Sequence, residues 1–236
     1  MVDHQAVGPV QSRSGRGSAM NTQASERLEP VSVLVKGTLA SVVGLATALL
    51  LLREVPLEES GRKVDVQIAP DGTAKVRHVS GKQYLRAYLD AVGVATACDG
   101  LTSVNGRRVT MKDRFTEAQC AAMLEAELVR HAVEVMKCTP GLSLSIPGRD
   151  NARGMSISLA YNIGPPRWCG STAARHMNAG RVRAACDAFL PWNKGTFARP
   201  QPGKACTRKR DGKWLCPITG LTARRQRERA QCLKDA

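Results

Sequence analysis

The sequence predicts an α+β fold, mostly helical with a small sheet near its front, on three observations. FTEAQCAAMLEAELVRHAVEVM, starting at Phe115, sets Leu124, Leu128, Ala132 and Val135 on one helical face. Alternation at period two is confined to the front, where Val64, Val66 and Ile68 and then Ala74 and Val76 interleave with polar residues. Past residue 150 the chain reads as successive helices: ARGMSISLAYNI, STAARHMNAG, RVRAACDAFL and LTARRQRERAQCL. Helices gathered beside one small sheet define an α+β domain.

Each element has a local reason. Residues 1–30 are polar and rich in Ser, Gly and Gln, which predicts a disordered tail. VSVLVKGTLASVVGLATALLLL, residues 31–52, is interrupted only by Lys36. It is near the roughly 20 residues that cross a bilayer, and Lys36 can snorkel to the headgroups. No polar face exists from Gly37 to Leu52, so the segment predicts a transmembrane helix rather than a core helix. The competing reading is a cleaved signal peptide. Its only Ala-x-Ala, Ala46-Thr47-Ala48, would leave four leucines on the new terminus, which favours an uncleaved signal anchor. Residues 53–79 predict a linker carrying a β-hairpin, turned at Pro70-Asp71-Gly72.

The main domain is expected over residues 80–236. Gln83 to Ala87 suggests a helical turn, Val92 to Ala97 a strand, and Val104-Asn105-Gly106-Arg107 a hairpin. Thr116 and Gln119 form a capping box before the long helix. Gly180 stops one later helix, Pro191 ends the next, and Thr222 is the expected cap of the last.

Composition narrows the function. A formal charge of +15 favours polyanions in general. Eight cysteines, with no CxxC and no zinc-ligand spacing, indicate disulfides in an oxidising compartment, with no metal and no cofactor. Cys206 and Cys216 bracket TRKRDGKWL, whose Asp211-Gly212 supplies a turn, and form the pair that spacing alone predicts. An export segment and disulfides argue against a nucleic-acid partner.

Four blocks in order then carry a resemblance: AYLDAVGVATACDGLT, FTEAQCAAML, AYNIG with CGSTAARHMNAG, and GLTARRQRERAQCL, with Trp192 between the last two. Over about residues 81 to 233 the chain resembles the phage-type lysozymes of glycoside hydrolase family 24, in their endolysin branch. The resemblance implies a helix-rich, lysozyme-like fold with a small β lobe and a cleft, acting on peptidoglycan between N-acetylmuramic acid and N-acetylglucosamine. It implies a catalytic Glu, Asp and Thr. Asp90 falls on the Asp, Thr96 on the Thr, and the Glu position falls on Gly81; Leu101 stands where His or Glu is usual. Tyr88 and Asn162 are the expected substrate contacts. Cys186–Cys232 and Cys98–Cys120 are implied as further disulfides, which leaves Cys138 for Cys169. The segment from about 196 to 219 goes beyond shorter relatives as a basic finger.

Gly81 cannot protonate a leaving oxygen, a step worth about two to four powers of ten in rate. The substitutes are His78, Glu58 or Glu59 folded back over the cleft, or the N-acetyl group of the substrate itself. Asp99 lies an odd number of residues from Thr96 and is expected on the other strand face. His131 and His176 are expected to be structural or solvated, and Arg224, Arg225, Arg227 and Arg229 with Glu228 to form a solvated, ion-paired face. The expectation is a monomeric, membrane-tethered endolysin-type muramidase of the inner membrane, its domain in the periplasm or released there. The alternative is a lysozyme fold that binds peptidoglycan without cutting it.

Overall fold

The structure, a computed structural model, describes residues 37–90, 93–104 and 106–236. The predicted tail at 1–30 and the start of the apolar run lie outside the described residues.

The rest of the apolar run forms α1 (Leu39–Val43) and the first half of α2 (Leu45–Ser60), joined at Gly44 with φ 84°. Both helices lie in the main core, where Leu39, Val43, Ala48, Leu51, Leu52 and Val55 are completely buried. The one buried hydroxyl of this segment, Thr47, donates to Asp150 and accepts from Arg153. No helix among the described residues is long and apolar enough to cross a membrane. The uniform hydrophobicity that reads as a span here serves helices enclosed by protein on most sides. α2 runs unbroken past residue 52, so the boundary between anchor and linker falls inside a helix.

The predicted hairpin follows, β1 (Lys63–Ile68) against β2 (Ala74–Ser80) in antiparallel register from Ile68↔Ala74 to Val64↔His78. Val64, Val66, Ile68, Ala74 and Val76 pack against the main core. At the turn, a Cβ on Gly72 would collide with the Thr38 hydroxyl, so glycine lets the hairpin tip reach the start of α1. The segment 81–87 is irregular, without the expected helical turn; its backbone pairs instead with residues 113–115.

Two short hairpins make the small lobe: β3 (Tyr88–Leu89) with β4 (Ala95–Thr96), and β5 (Ser103–Val104) with β6 (Arg107–Arg108). A second core fills this lobe around Ala97, Cys98, Leu101, Val104 and Cys120. The long helix α3 (Glu117–Cys138) begins with the reciprocal Thr116–Gln119 capping box and buries Leu124, Leu128, Ala132 and Val135 as the periodicity predicted.

α4 (Asp150–Ile163) is the central helix, buried over nine consecutive residues. A Cβ on Gly154 would meet Leu50 Cδ2 at 2.8 Å, so glycine permits the close approach of α2 and α4. α5 (Pro165–Cys169), α6 (Thr172–Asn178) and α7 (Val182–Asp187) follow with short connections. The basic finger is a three-stranded sheet ordered β7-β9-β8, from β7 (Lys194–Phe197), β8 (Thr207–Arg208) and β9 (Trp214–Pro217). α8 (Thr219–Cys232) closes the fold. Its N-cap is Ile218, not Thr222, which lies inside the helix and receives a hydrogen bond from Asn193. All four expected disulfides are formed: Cys98–Cys120, Cys138–Cys169, Cys186–Cys232 and Cys206–Cys216.

Candidate active site

Tyr88 and Thr96 stand directly opposite each other in the β3–β4 hairpin, so their side chains share one face. Asp90, two residues after Tyr88, closes the hairpin: its Oδ1 accepts from Val94 N at 2.8 Å and its own N–H donates to Val94 O at 2.9 Å. Thr96 is buried and its hydroxyl donates to Val94 O at 3.1 Å. The hairpin thus holds Asp90 and Thr96 at one end of the small lobe.

Gly81 is not a place where an acid could stand. Its φ is +92°, and a Cβ there would collide with the Gly61 carbonyl oxygen. Residues 62–80 leave the chain path as a hairpin and return to the point of departure, where Gly81 meets Gly61. The nearest carboxylate before the excursion, two residues from Gly61, is Glu59.

Glu59 is the penultimate residue of α2 and faces the small lobe. A Cβ on Gly100 would lie 2.9 Å from Glu59 Oε2, so the carboxylate packs directly against this glycine. Glu59 Oε1 accepts from Arg224 Nη1 at 2.6 Å. The Tyr88 phenol is pushed up by burial, by neighbouring Tyr84, and by the negative charges of Glu59, Asp90 and Asp99. Glu59 and Asp90 therefore act on one side chain, which stands opposite Thr96. Glu58 turns the other way, into a bidentate pair with Arg227.

A buried network supports Glu59. Arg224 Nε donates to Glu228 Oε1 at 2.9 Å, which also accepts from Ser158 Oγ at 2.8 Å and Arg225 Nη2 at 3.0 Å. Arg224 is only 4% exposed, Glu228 2% and Arg225 0%. The expected solvated face is only partly present: Arg227 is exposed and Arg229 half-buried, whereas Arg224, Arg225 and Glu228 are interior. Burial opposes the charge on Arg224, but Glu59 and Glu228 outweigh it and raise its pKa. Burial dominates at Arg225, which is lowered to about 10, and at Glu228, which is raised.

A second tie joins α2 to the small lobe. Asp99 is buried, accepting from both Arg62 Nε and Arg62 Nη2, and from Ser60 Oγ at 2.8 Å. Its backbone carbonyl accepts from Tyr161 OH at 2.9 Å. The two residues following Glu59 on either side of Gly61 are thus locked to the residue three beyond Thr96.

The other candidates lie elsewhere. His78 sits in β2 opposite Val64, its N–H donating to Glu117 and its Nδ1 buried without a partner. Asn162 is exposed near the end of α4, with Gly164 as the helix cap. His131 is buried on α3 beside Tyr161, and His176 accepts from Arg181. Leu101 is buried in the small-lobe core. A cavity of about 340 Å³ is lined by Glu54, Glu58, Ser158, Arg227, Glu228 and Gln231 among others, and includes neither Asp90 nor Thr96. No cluster able to hold a metal ion is found among the described residues.

The phage lysozyme family model matches residues 80–228. The chain belongs to the phage lysozyme family. It is 32% identical over 155 residues to the SAR-endolysin of Bacteriophage PS119, covering 66% of this chain and 77% of that one. The SAR-endolysin of Enterobacteria phage P21 is likewise 32% identical over 155 residues, with 66% and 78% covered. The endolysin of Salmonella phage P22 is 30% identical over 132 residues, covering 55% of this chain and 85% of that one. Among solved structures, the endolysin from Escherichia coli O157:H7 phage FAHEc1 aligns with a TM-score of 0.52 at 26% identity, covering 64% of this chain and 84% of that one. This lysozyme is a glycoside hydrolase with peptidoglycan as its substrate, and its family match begins at Ser80, the last residue of β2.

Proposed function

We propose that this lysozyme cuts peptidoglycan as an N-acetylmuramidase with Glu59, Asp90 and Thr96 as its catalytic residues. The observation that carries the reading is the placement of Glu59 against Gly100 and Arg224, with Tyr88 inside the fields of both Glu59 and Asp90. In this scheme Glu59 donates a proton to the glycosidic oxygen as the bond from the muramic anomeric carbon breaks. Asp90 balances the positive charge that develops there, Thr96 helps to place the water, and the water's proton is returned to the carboxylates. Tyr88 and Asn162 remain the proposed substrate contacts. Neither His78 nor assistance by the N-acetyl group is then required.

The reading extends to location. The relatives in phages PS119 and P21 carry the name SAR-endolysin, of the signal-arrest-release kind. We infer that the segment 31–52 first holds the chain in the inner membrane and that α1 and α2 describe the state after release. Glu59 lies seven residues past Leu52, about 10 Å along a helix. While the segment spans the bilayer, Glu59 is held away from the small lobe, and catalysis waits for release into the periplasm. The alternative, a lysozyme fold that binds peptidoglycan without cutting it, draws on the glycine at residue 81; a carboxylate at Glu59 speaks for cleavage. The expected species is a monomer.

Digesting sacculi with the full chain and analysing the fragments by mass spectrometry tests the reading. Reducing muramic ends are expected. Anhydro ends would replace hydrolysis by transglycosylation, and intact strands would return the protein to a binding role.

A further inference from the structure

The finger from 196 to 219 takes no part in the catalytic arrangement, and its composition differs from the rest of the molecule. It carries six cations, Arg199, Lys204, Arg208, Lys209, Arg210 and Lys213, against the single carboxylate of Asp211. All six are exposed. Among the described residues only Lys209 meets a carboxylate, Asp211 at 3.4 Å. Two of the nine aromatic residues of the chain stand in its sheet. Phe197 is directly opposite Trp214, and Trp214 is directly opposite Arg208, so the three side chains lie abreast on one face. Both aromatics are only partly buried, and neither belongs to or packs on either hydrophobic core. The Cys206–Cys216 bridge staples the sheet, and Ile218 N and Asn193 O pin its root at 2.9 Å to the chain entering it.

We propose that this finger is a docking surface for anionic lipid headgroups. A disulfide-stapled strip with an aromatic pair at its centre and six exposed cations around it, five of them without a carboxylate partner among the described residues, matches the chemistry of a charged bilayer surface. Trp and its aromatic neighbour suit the boundary between headgroup and acyl chain, and each Lys or Arg near an anionic surface contributes about 1 kcal/mol. The disulfide means that little ordering is needed on contact. Neutral wall glycan alone leaves the cations without a counterpart. Such docking keeps a released enzyme beside the membrane, independently of which residues cut the glycan.

The test uses the full chain with vesicles of phosphatidylcholine alone and of phosphatidylcholine mixed with phosphatidylglycerol. Sedimentation with the anionic vesicles at low salt, and release at high salt, are expected. R208Q/K209Q/R210Q/K213Q should weaken binding by about fivefold for each cation removed, while cleavage of sacculi stays unchanged. Brominated acyl chains should quench fluorescence that disappears in Trp214→Phe. Every variant keeps residues 31–52, so insertion by that segment cancels in the comparison. Equal binding by the quadruple variant, salt-insensitive binding to both vesicle types, or quenching unaffected by Trp214→Phe would overturn the proposal. Loss of sacculus affinity with vesicle binding intact would overturn it in favour of the wall's acidic stem peptides. A failure of the muramidase reading shows separately, as intact strands with every variant.

Discussion

Glu59 and Arg224 are 165 residues apart in sequence and 2.6 Å apart in space, and the chemistry proposed for this lysozyme depends on that contact. Arg224 reaches Glu59 with one nitrogen and Glu228 with another, so its planar fork sets the angle of the acid. Lysine cannot hold both partners in that geometry. Arg224→Lys should lower kcat by roughly a hundredfold, the cost of an ångström-scale misplacement, with KM nearly unchanged; steady-state kinetics on soluble glycan fragments separates the two. The Arg62–Asp99 pair is likewise dry and ties α2 to the small lobe. Asp99→Asn leaves a buried guanidinium without its counter-charge and should cost about 3–5 kcal/mol in urea unfolding. His131 supplies a pH dependence. Burial lowers its pKa below 6.5, so the folded state stays neutral where the unfolded chain takes up a proton. Its contribution is complete above pH 6.5 and is lost as pH falls from there through the folded value. The stability difference between wild type and His131→Asn, measured by urea titration, should shrink on going from neutral to mildly acidic pH.

At the level of elements, legibility followed the range of the forces involved. α3 announces itself because its cap, its period and its apolar face are all local, and the β1–β2 hairpin because alternation and a turn suffice. α1 and α2 are ambiguous on physical grounds, since an unbroken apolar run suits a bilayer and a helix enclosed by protein equally. On the proposed assignment the acid escapes a count by spacing, because the β1–β2 hairpin lies between Glu59 and Asp90; the clue in the sequence is a hairpin flanked by Gly61 and Gly81. Arg224, Arg225 and Glu228 read as a solvated face because nothing within a few turns of α8 discloses Ser158 or Glu59 above them. Leu51 tests the role of α2 in the core. It is completely buried, and Leu51→Ala should cost about 2–5 kcal/mol, with activity falling as the folded fraction falls.

For the whole molecule, the fold unites segments that the proposed release from the membrane brings together. The first helices bring Glu59 to the small lobe, α8 supplies its arginine partner, and the disulfides fix the body that receives them. Cys186–Cys232 spans 46 residues and ties α7 to the end of α8. Replacing both cysteines by serine should cost about 4 kcal/mol by the loop-closure account, seen as a lower midpoint in urea. The central claim is that the acid resides before the inserted hairpin, and Glu58 beside it supplies the control, since its carboxylate is engaged by Arg227 on another side. The most direct measurement is the rate of reducing-end release from sacculi by Glu59→Gln and Glu58→Gln, both checked for native circular dichroism. Glu59→Gln should lose about two to four powers of ten while Glu58→Gln stays within a few-fold of wild type; full activity in Glu59→Gln would contradict the account.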